Sequence, residues 1–357
     1  MKNKSIILIL LFLPLFIFCK NFSTIFGTIE ITDPLFLELI ESKAMQRLKH
    51  IDQTGPTKYI KNMPDYSRFD HSLGVFHLLT LFGAEKEELI AGLLHDTSHT
   101  VFSHLGDRIF SHKDQKDSFQ DSIHLWHLKQ MGVDKILQKY GYDLSVADPH
   151  IEDYDCLEKP LPHLCADRIE YNFHSAIIFR LMTEEDIQKI ISSLHFENGY
   201  WYFSNEKDAK TLADLSLYFT EHFWNSIEND LIYLWSSKAV QRALEIGLIS
   251  KEEILFSYDE VILQKLFSIN DAIINCYLQH CYNIKNYYEI AKDSGNYLLK
   301  GKYRGIDPFV QTENGLTFLS DINKEFKKEA ERVKKLSEEG QYFEIVYPVM
   351  YEFAQAE

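Results

Sequence analysis

The chain has 357 residues, of which 45% are apolar and only nine are proline, and this composition excludes a disordered or fibrous protein. Its formal net charge of −16 would repel duplex nucleic acid, because non-specific binding depends on Lys and Arg neutralising the phosphates. Any phosphate that the chain binds must therefore meet a local cationic site, such as a metal ion or a small basic cluster.

The first twenty residues differ from the rest of the chain. Lys2 and Lys4 precede an apolar run from Ser5 to Cys19, which has the charge and the length of a signal peptide and is short for a membrane span. We expect residues 1–20 to export the chain or to anchor it to a membrane. A cytoplasmic protein with a misplaced start codon is the alternative, because Phe18 stands where a cleavage site favours a small residue.

Helical patterns begin at Asp33. Thr32-Asp33-Pro34 predicts a helix start, and apolar residues then recur three and four positions apart. After a loop at residues 62–65, two further helices are predicted over residues 68–82 and 85–95.

One segment predicts β structure. Asn198-Gly199 lies between two aromatic-rich arms in residues 195–203, which predicts a hairpin with a type I′ turn. Helices are predicted again over residues 212–223, 227–244, 262–282 and 321–339. The fold class is therefore mainly α, with a catalytic domain over residues 26–225 that carries a small β-hairpin insertion, and a C-terminal helical region over residues 226–357.

Residues 92–104 concentrate three histidines and an aspartate at the end of an apolar helix. His95 and Asp96 point about 100° apart, so both can reach one ion where the helix ends. By itself the pair also fits a capping aspartate beside a buried histidine. His71 at the start of another predicted helix and Asp167 in an apolar setting extend the pattern and favour a metal site.

In this order, His71, His95-Asp96 and Asp167 resemble the signature of the HD superfamily of metal-dependent phosphohydrolases. The resemblance implies that these four residues are metal ligands and that residues 26–225 form an HD-domain helical bundle. Imidazole and carboxylate ligands suit Mn, Fe, Co, Ni or Zn, with Mg as a further candidate. A metal site of this kind supplies a hydroxide near neutral pH that can attack phosphorus.

Within the superfamily, the chain most resembles the deoxynucleoside triphosphate triphosphohydrolases of the SAM-and-HD-domain type, from about Phe26 to Tyr171. The matching segments are Met45–Leu48, Gln53–Gly55, Arg68–Gly74, His99–His104 and Asp167–Tyr171. This resemblance implies that the groups beside the phosphates, acting as acid, base or transition-state contacts, are His99, His104 and Asp107. It also implies that the sugar or phosphate is held by Gln53, Arg68, Arg168 and Tyr171.

Two positions depart from that family. Phe119 stands where these enzymes carry a catalytic histidine, so we expect His124, five residues later, either to replace it or to be an ordinary helix residue. Ser175 stands where the family has an aspartate that helps to hold the sugar 3′-hydroxyl, which leaves the preference for deoxynucleotides open. His163 and His174, on either side of Asp167, are candidates for orienting the metal ligands.

The sequence thus predicts a metal-dependent enzyme that hydrolyses a nucleotide, and the first interpretation is that this nucleotide is a dNTP-like triphosphate. A phosphodiesterase or phosphomonoesterase on another nucleotide is the second interpretation, and a nucleotide sensor without turnover is the third. Retention of all four ligands argues against a pure sensor. The basic run Lys300–Pro308 fits a phosphate contact, a subunit contact in a homo-oligomer or a solvated loop.

Overall fold

The computed structural model describes residues 19–111, 118–291 and 294–346, and the structural statements below concern these ranges. The predicted export or anchor segment lies outside the described residues, apart from Cys19 and Lys20. Within the described ranges, no helix is both long and apolar enough to cross a membrane.

A β-hairpin and three short helices come first. Asp33 begins the first helix, because its carboxylate accepts a hydrogen bond from the backbone N–H of Leu35 at 2.9 Å and Pro34 occupies the first turn. The predicted helix start is confirmed. The elements are β1 (Lys20–Thr24), β2 (Gly27–Ile31), α1 (Pro34–Ile40), α2 (Lys43–Leu48) and α3 (Pro56–Lys61).

The next helix, α4 (Arg68–Leu81), is buried along most of its length. A reciprocal cap begins it: the Ser67 hydroxyl accepts from the N–H of Asp70, and the Asp70 carboxylate accepts from the N–H of Ser67. The helices α5 (Lys86–Leu94), α9 (Ala166–Ile178) and α2 pack against it. The helices that follow it are α5 (Lys86–Leu94), α6 (Leu105–Phe110), α7 (Phe119–Gln130), α8 (Val133–Lys139) and α9 (Ala166–Ile178).

The predicted hairpin follows α10 (Glu184–Ile191) and is confirmed. Its strands β3 (Leu194–Glu197) and β4 (Tyr200–Phe203) pair antiparallel. Asn198 and Gly199 both have positive φ angles, 53° and 78°, as a type I′ turn requires.

Helices continue to residue 282, with one difference from the prediction. Residues 262–282 do not form a single helix, because Asp271 accepts hydrogen bonds from the N–H groups of Ile273 and Ile274 and begins a new one. A π-helical turn at Thr220–Trp224 follows the first of these helices. The helices are α11 (Glu206–Phe219), α12 (Ile227–Glu245), α13 (Lys251–Phe256), α14 (Asp259–Ser268) and α15 (Ala272–Tyr282).

The C-terminal part corrects the expectation of a helical region over residues 226–357. Its elements are β5 (Tyr288–Ile290), β6 (Tyr297–Leu299), β7 (Phe309–Thr312), β8 (Gly315–Phe318), α16 (Leu319–Ile322), α17 (Lys324–Glu339) and β9 (Gln341–Ile345). The strands form the sheets β3-β4-β7-β8 and β5-β9-β6. With 56% helix and 13% strand, the structure is mainly α only in a broad sense.

Both predicted regions contribute to one hydrophobic core. Val75 of α4 and Ile169 of α9 belong to the same buried cluster as Ile306 and Phe326 from the C-terminal part. The strand β7 also pairs in parallel with β4, more than a hundred residues earlier. This packing brings the segment before β7 close to the N-terminal helices.

Candidate metal centre and active-site cavity

Four side chains from three helices meet at one point: His71 on α4, His95 and Asp96 at the end of α5, and Asp167 at the start of α9. His71 Nε2 lies 3.1 Å from His95 Nε2 and 3.0 Å from Asp167 Oδ1, and His95 Nε2 lies 3.8 Å from Asp167 Oδ1. The Asp96 oxygens lie 3.5 Å from His95 Nε2 and 3.7 Å from His71 Nε2. The structure thus brings His71, His95 and Asp167 together as a group that could hold one ion, with one Asp96 oxygen near each histidine.

The hydrogen bonds of the two imidazoles show that this group fits a cation. Nδ1 of His95 donates to the carbonyl oxygen of Gly92 at 2.8 Å, and Nδ1 of His71 donates to the carboxylate of Glu170. Since carbonyl and carboxylate oxygens only accept, both Nδ1 atoms carry a hydrogen, and the Nε2 atoms, which face each other and Asp167, are the positions at which an ion would bind in place of a proton.

The spacing of these lone pairs also fits a shared ion. Two ligand atoms about 2.1 Å from one ion are about 3.0 Å apart at a right angle and about 3.4 Å apart at the tetrahedral angle. Burial lowers the pKa of His71, but the carboxylates of Glu170 and Asp167 outweigh burial and raise it to about 10. A positive charge is therefore favoured at Nε2, and a divalent ion would supply it.

A buried carboxylate that the sequence did not reveal orients His71. Glu170 of α9 is fully buried and accepts hydrogen bonds from His71 Nδ1, from the Tyr66 hydroxyl at 2.8 Å and from His174 Nδ1 at 2.8 Å. Gly74 makes room for it, because a Cβ atom there would lie 2.5 Å from Glu170 Oε1. Such partners fix the ring orientation of a metal-binding histidine.

The two histidines flanking Asp167 have different positions. His174 contacts the centre through Glu170, as expected of an orienting partner. His163 instead packs beside the rings of Tyr200, Phe309 and Phe318. The sequence feature that indicates the role of Glu170 is spacing. Asp167, Glu170 and His174 are three and four residues apart, which places them on one face of α9.

A cavity of about 630 Å³ opens beside the ligands. Most of the residues that the sequence assigned to catalysis or substrate binding lie on its wall. They are Gln53, Arg68, His99, His104, Asp107, Arg168 and Tyr171, together with the ligands His95, Asp96 and Asp167. Three of the four expected ligands and the expected substrate contacts therefore share one cavity.

His104 and Asp107 form a pair on that wall. His104 Nδ1 lies 3.2 Å from Asp107 Oδ2, and Asp107 Oδ1 accepts from the backbone N–H of Phe119 at 2.7 Å. Burial raises the pKa of Asp107, but His104 and this N–H outweigh burial and lower it. Because the ionised carboxylate holds Nδ1–H, the Nε2 atom of the partly exposed His104 ring is available for proton transfer.

His99 has a different electrostatic character. Burial, and next the positive charge of Arg68, lower its pKa to about 4. Its Nδ1 lies 3.2 Å from Asp96 Oδ1, and its buried Nε2 has no hydrogen-bond partner among the described residues. The neutral ring can accept a hydrogen bond near neutral pH.

His124 does not reach the cavity, which corrects the expectation that it replaces the family histidine. It is buried, with Nδ1 at 3.0 Å from Ser98 Oγ and Nε2 at 3.0 Å from the carbonyl oxygen of Ala147. Both ring nitrogens are occupied. Burial lowers the pKa of His124 to about 4, so this residue of α7 is neutral and packs against the neighbouring elements.

The two arginines are partly committed to other groups. Arg68 donates from Nη1 to Asp96 Oδ2 at 2.6 Å and from Nε to Ser103 Oγ at 2.7 Å, which leaves Nη2 without a partner among the described residues. Arg168 donates from Nη1 to the carbonyl oxygens of Lys159 and His163. A two-pronged phosphate contact through a free guanidinium edge is therefore not available to Arg68.

The loop between the ligand pair and His104 has an unusual backbone. Phe102 and Ser103 have φ angles of 59° and 58°, a region that non-glycine residues rarely adopt. Asp259 of α14 holds this turn by accepting from the N–H of Phe102 at 2.7 Å and from that of Asp52 at 3.0 Å. Burial raises the pKa of the Asp259 carboxyl to about 7.

Comparison with known proteins defines the class. Residues 68–154 match the family model of the HD domain. The chain thus contains an HD domain, and it is similar to a metal-dependent phosphohydrolase and to deoxynucleoside triphosphate triphosphohydrolases.

Individual relatives extend this similarity. The uncharacterized protein YdhJ of Bacillus subtilis is 29% identical over 318 residues, which cover 88% of this chain and 95% of YdhJ. The metal-dependent phosphohydrolase cns2 of Cordyceps militaris is 36% identical over 170 residues, 48% of each chain. The deoxynucleoside triphosphate triphosphohydrolase SAMHD1 of Danio rerio is 38% identical over 101 residues, 24% of this chain and 16% of SAMHD1.

The fold likewise has solved counterparts. A phosphohydrolase structure from Bacteroides thetaiotaomicron superposes with a TM-score of 0.64 and 16% identity, covering 85% of this chain and 94% of that one. The chain matches about half of cns2 and less than a fifth of SAMHD1, so the substrates of those proteins do not transfer directly.

Proposed function

We propose that this phosphohydrolase acts on a nucleoside triphosphate, with a dNTP-like triphosphate as the first candidate. The observation that carries the proposal is the single cavity shared by three expected metal ligands (His95, Asp96 and Asp167), the His104–Asp107 pair and the polar side chain of Gln53. The partial similarity to SAMHD1 supports the choice of a triphosphate. A divalent ion is the expected cofactor.

The chain's own side chains would position the substrate and move protons. A bound divalent ion supplies Lewis acidity and a hydroxide near neutral pH. When the bond between phosphorus and the leaving oxygen breaks, His104 Nε2 gives that oxygen its proton, while Asp107 holds the ring through Nδ1. Oε1 of Gln53, which has no hydrogen-bond partner among the described residues, is an acceptor for a substrate hydroxyl.

The sugar specificity is proposed to be relaxed. Ser175 lies on the cavity wall where the resembling enzymes have an aspartate that holds the 3′-hydroxyl. A serine hydroxyl is shorter and uncharged, so it contributes less to fixing one sugar. We expect ribonucleoside and deoxyribonucleoside triphosphates to be hydrolysed at rates within about tenfold of each other.

The test is a substrate panel with the purified chain in Mn²⁺, Mg²⁺, Fe²⁺ or Co²⁺, with chromatography that separates tripolyphosphate from orthophosphate. Nucleoside triphosphates should be hydrolysed, and His104→Ala should be slow. His195→Ala is the matched control, because His195 stacks on Tyr202 outside the cavity. Turnover of phosphodiesters or monoesters alone would replace this proposal with the second interpretation, and binding without turnover would favour the sensor.

A further inference from the structure

A basic segment from the C-terminal part lies on the wall of the same cavity. Lys300, Lys302 and Arg304 are all among the lining residues, although more than 130 residues separate them from Asp167. Lys300 and Lys302 are exposed and Arg304 is half-buried, so the three cations lie towards the mouth.

These three cations are unpaired within the described part of the chain. None of them forms an ion pair there, whereas Arg68 pairs with Asp96, and Arg108 of the same wall pairs with Asp230. The chain has 53 acidic and 37 basic residues, so unpaired cations in a cavity are unexpected. Burial and then the guanidiniums of Arg304 and Arg168 lower the pKa of Lys302 more than the carboxylates of Asp121 and Glu158 raise it, so like charges outweigh opposite charges around this lysine.

The backbone of this segment is held on both sides of Lys302. The N–H of Gly301 donates to the carbonyl oxygen of Ser337 at 3.1 Å, and Asn225 Nδ2 donates to the carbonyl oxygen of Lys302 at 3.2 Å. Further along, the N–H of Ile306 donates to Ser216 Oγ at 3.1 Å. The three cations are therefore presented from an ordered backbone, which reduces the entropy lost on binding a ligand.

An aromatic group fixes the innermost cation. The Arg304 guanidinium lies 5.8 Å from the centre of the Trp224 ring, and Trp224 meets Tyr171 edge to face at 5.2 Å. A cation held over an aromatic face keeps its N–H donors available to an anion. Trp224 thus connects the basic segment to Tyr171, the wall residue that directly follows Glu170 in α9.

We propose that Lys300, Lys302 and Arg304 form an anion subsite that binds the terminal phosphates of a polyphosphate substrate whose reacting phosphorus lies at the metal centre. The subsite rests on the proposed function, since it binds the far end of the same substrate. A single phosphate at the metal centre does not require three more cations at the mouth of the cavity. A chain of two or three phosphates carries the charge that they neutralise.

Binding of inorganic tripolyphosphate to metal-free protein, measured by calorimetry at fixed ionic strength, tests the subsite without turnover. Lys302→Gln/Arg304→Gln should weaken the affinity at least about tenfold. Lys324→Gln/Lys328→Gln on α17 is the matched control, because it removes the same charge from two exposed lysines that form no ion pair with a described residue. Lys302→Arg/Arg304→Lys keeps the charge and should retain most of the affinity.

Kinetics separate this inference from the function on which it rests. The Lys302→Gln/Arg304→Gln variant should raise KM for a triphosphate about tenfold or more, with KM for p-nitrophenyl phosphate unchanged. If no nucleotide is hydrolysed but tripolyphosphate binding still falls, the subsite stands and the proposed function fails. If nucleotides are hydrolysed and the Lys302→Gln/Arg304→Gln variant binds tripolyphosphate as well as the unaltered chain and the Lys324→Gln/Lys328→Gln control do, the subsite is refuted and the function stands.

Discussion

Glu170→Gln tests how the chain prepares its metal centre. Three donors point at this carboxylate: His71 Nδ1, His174 Nδ1 and the Tyr66 hydroxyl. A glutamine has nearly the same shape but only one acceptor oxygen, and its NH2 group must face at least one of these donors. The hydrogen bond that fixes the His71 ring is then lost or weakened.

The expected magnitude follows from two effects. Loss of a partner that orients a metal-binding histidine weakens metal affinity by about 10–100-fold, which corresponds to about 1.4–2.7 kcal/mol. A buried donor left without an acceptor also costs about 1–3 kcal/mol in the free energy of unfolding. Turnover at saturating metal should fall much less than metal affinity, because Glu170 touches the ligand and not the substrate.

The assay is metal affinity by competition with a fluorescent chelator, combined with urea unfolding of the metal-free protein. Glu88→Gln is the matched control: Glu88 is another buried carboxylate, which accepts from the N–H groups of Cys156 and Leu157 at 2.8 Å at the opposite end of α5. The Glu88→Gln variant should have a lower free energy of unfolding and an unchanged metal affinity. Equal metal affinities for the two variants would refute the role assigned to Glu170.

Three further outcomes are expected. His104→Ala should lower kcat by about 10²–10⁴-fold with metal content unchanged. His124→Ala should leave kcat within about threefold, because His124 lies outside the cavity wall. Metal analysis and steady-state kinetics measure metal content and kcat for the two variants. Ser175→Asp should increase the preference for deoxyribonucleotides over ribonucleotides, measured as the ratio of kcat/KM values, and an unchanged ratio would contradict the sugar assignment. In the folded protein the pKa of Asp259, about 7, exceeds the value in the unfolded chain. The free energy of unfolding should therefore fall as pH rises from about 4 to about 7, by up to about 1.4 kcal/mol per pH unit. Asp259→Asn should flatten this slope, and parallel pH profiles of unfolding for the variant and the unaltered chain would contradict the prediction.

The local sequence predicted what depends on local pattern. Asp33-Pro34 begins α1, Asn198-Gly199 forms the I′ turn, and the helix over residues 68–82 is α4. The order of His71, His95-Asp96 and Asp167 also selected four residues that converge in space. These features are recognisable because the spacing that identifies them lies within a few residues or within a known motif.

Long-range contacts account for most of the differences. The strands β5 to β9 have three to five residues each, too few for a clear alternating pattern, and β7 forms its sheet with the distant β4. Glu170 resembles an ordinary helix residue until α9 packs against α4 and buries it under His71. His124 has the right residue type, but its direction on α7 points both nitrogens at Ser98 and Ala147 instead of the cavity.

Anomalous diffraction from crystals grown with Mn²⁺ tests the central claim most directly. The account predicts a strong manganese peak within about 2.0–2.3 Å of His71 Nε2, His95 Nε2, and carboxylate oxygens of Asp96 and Asp167. The same peak should disappear in Asp167→Ala crystals. A peak absent from this position in the unaltered chain, or present only at the neighbouring donor group of Glu158, Cys165 and Asp167, would contradict it.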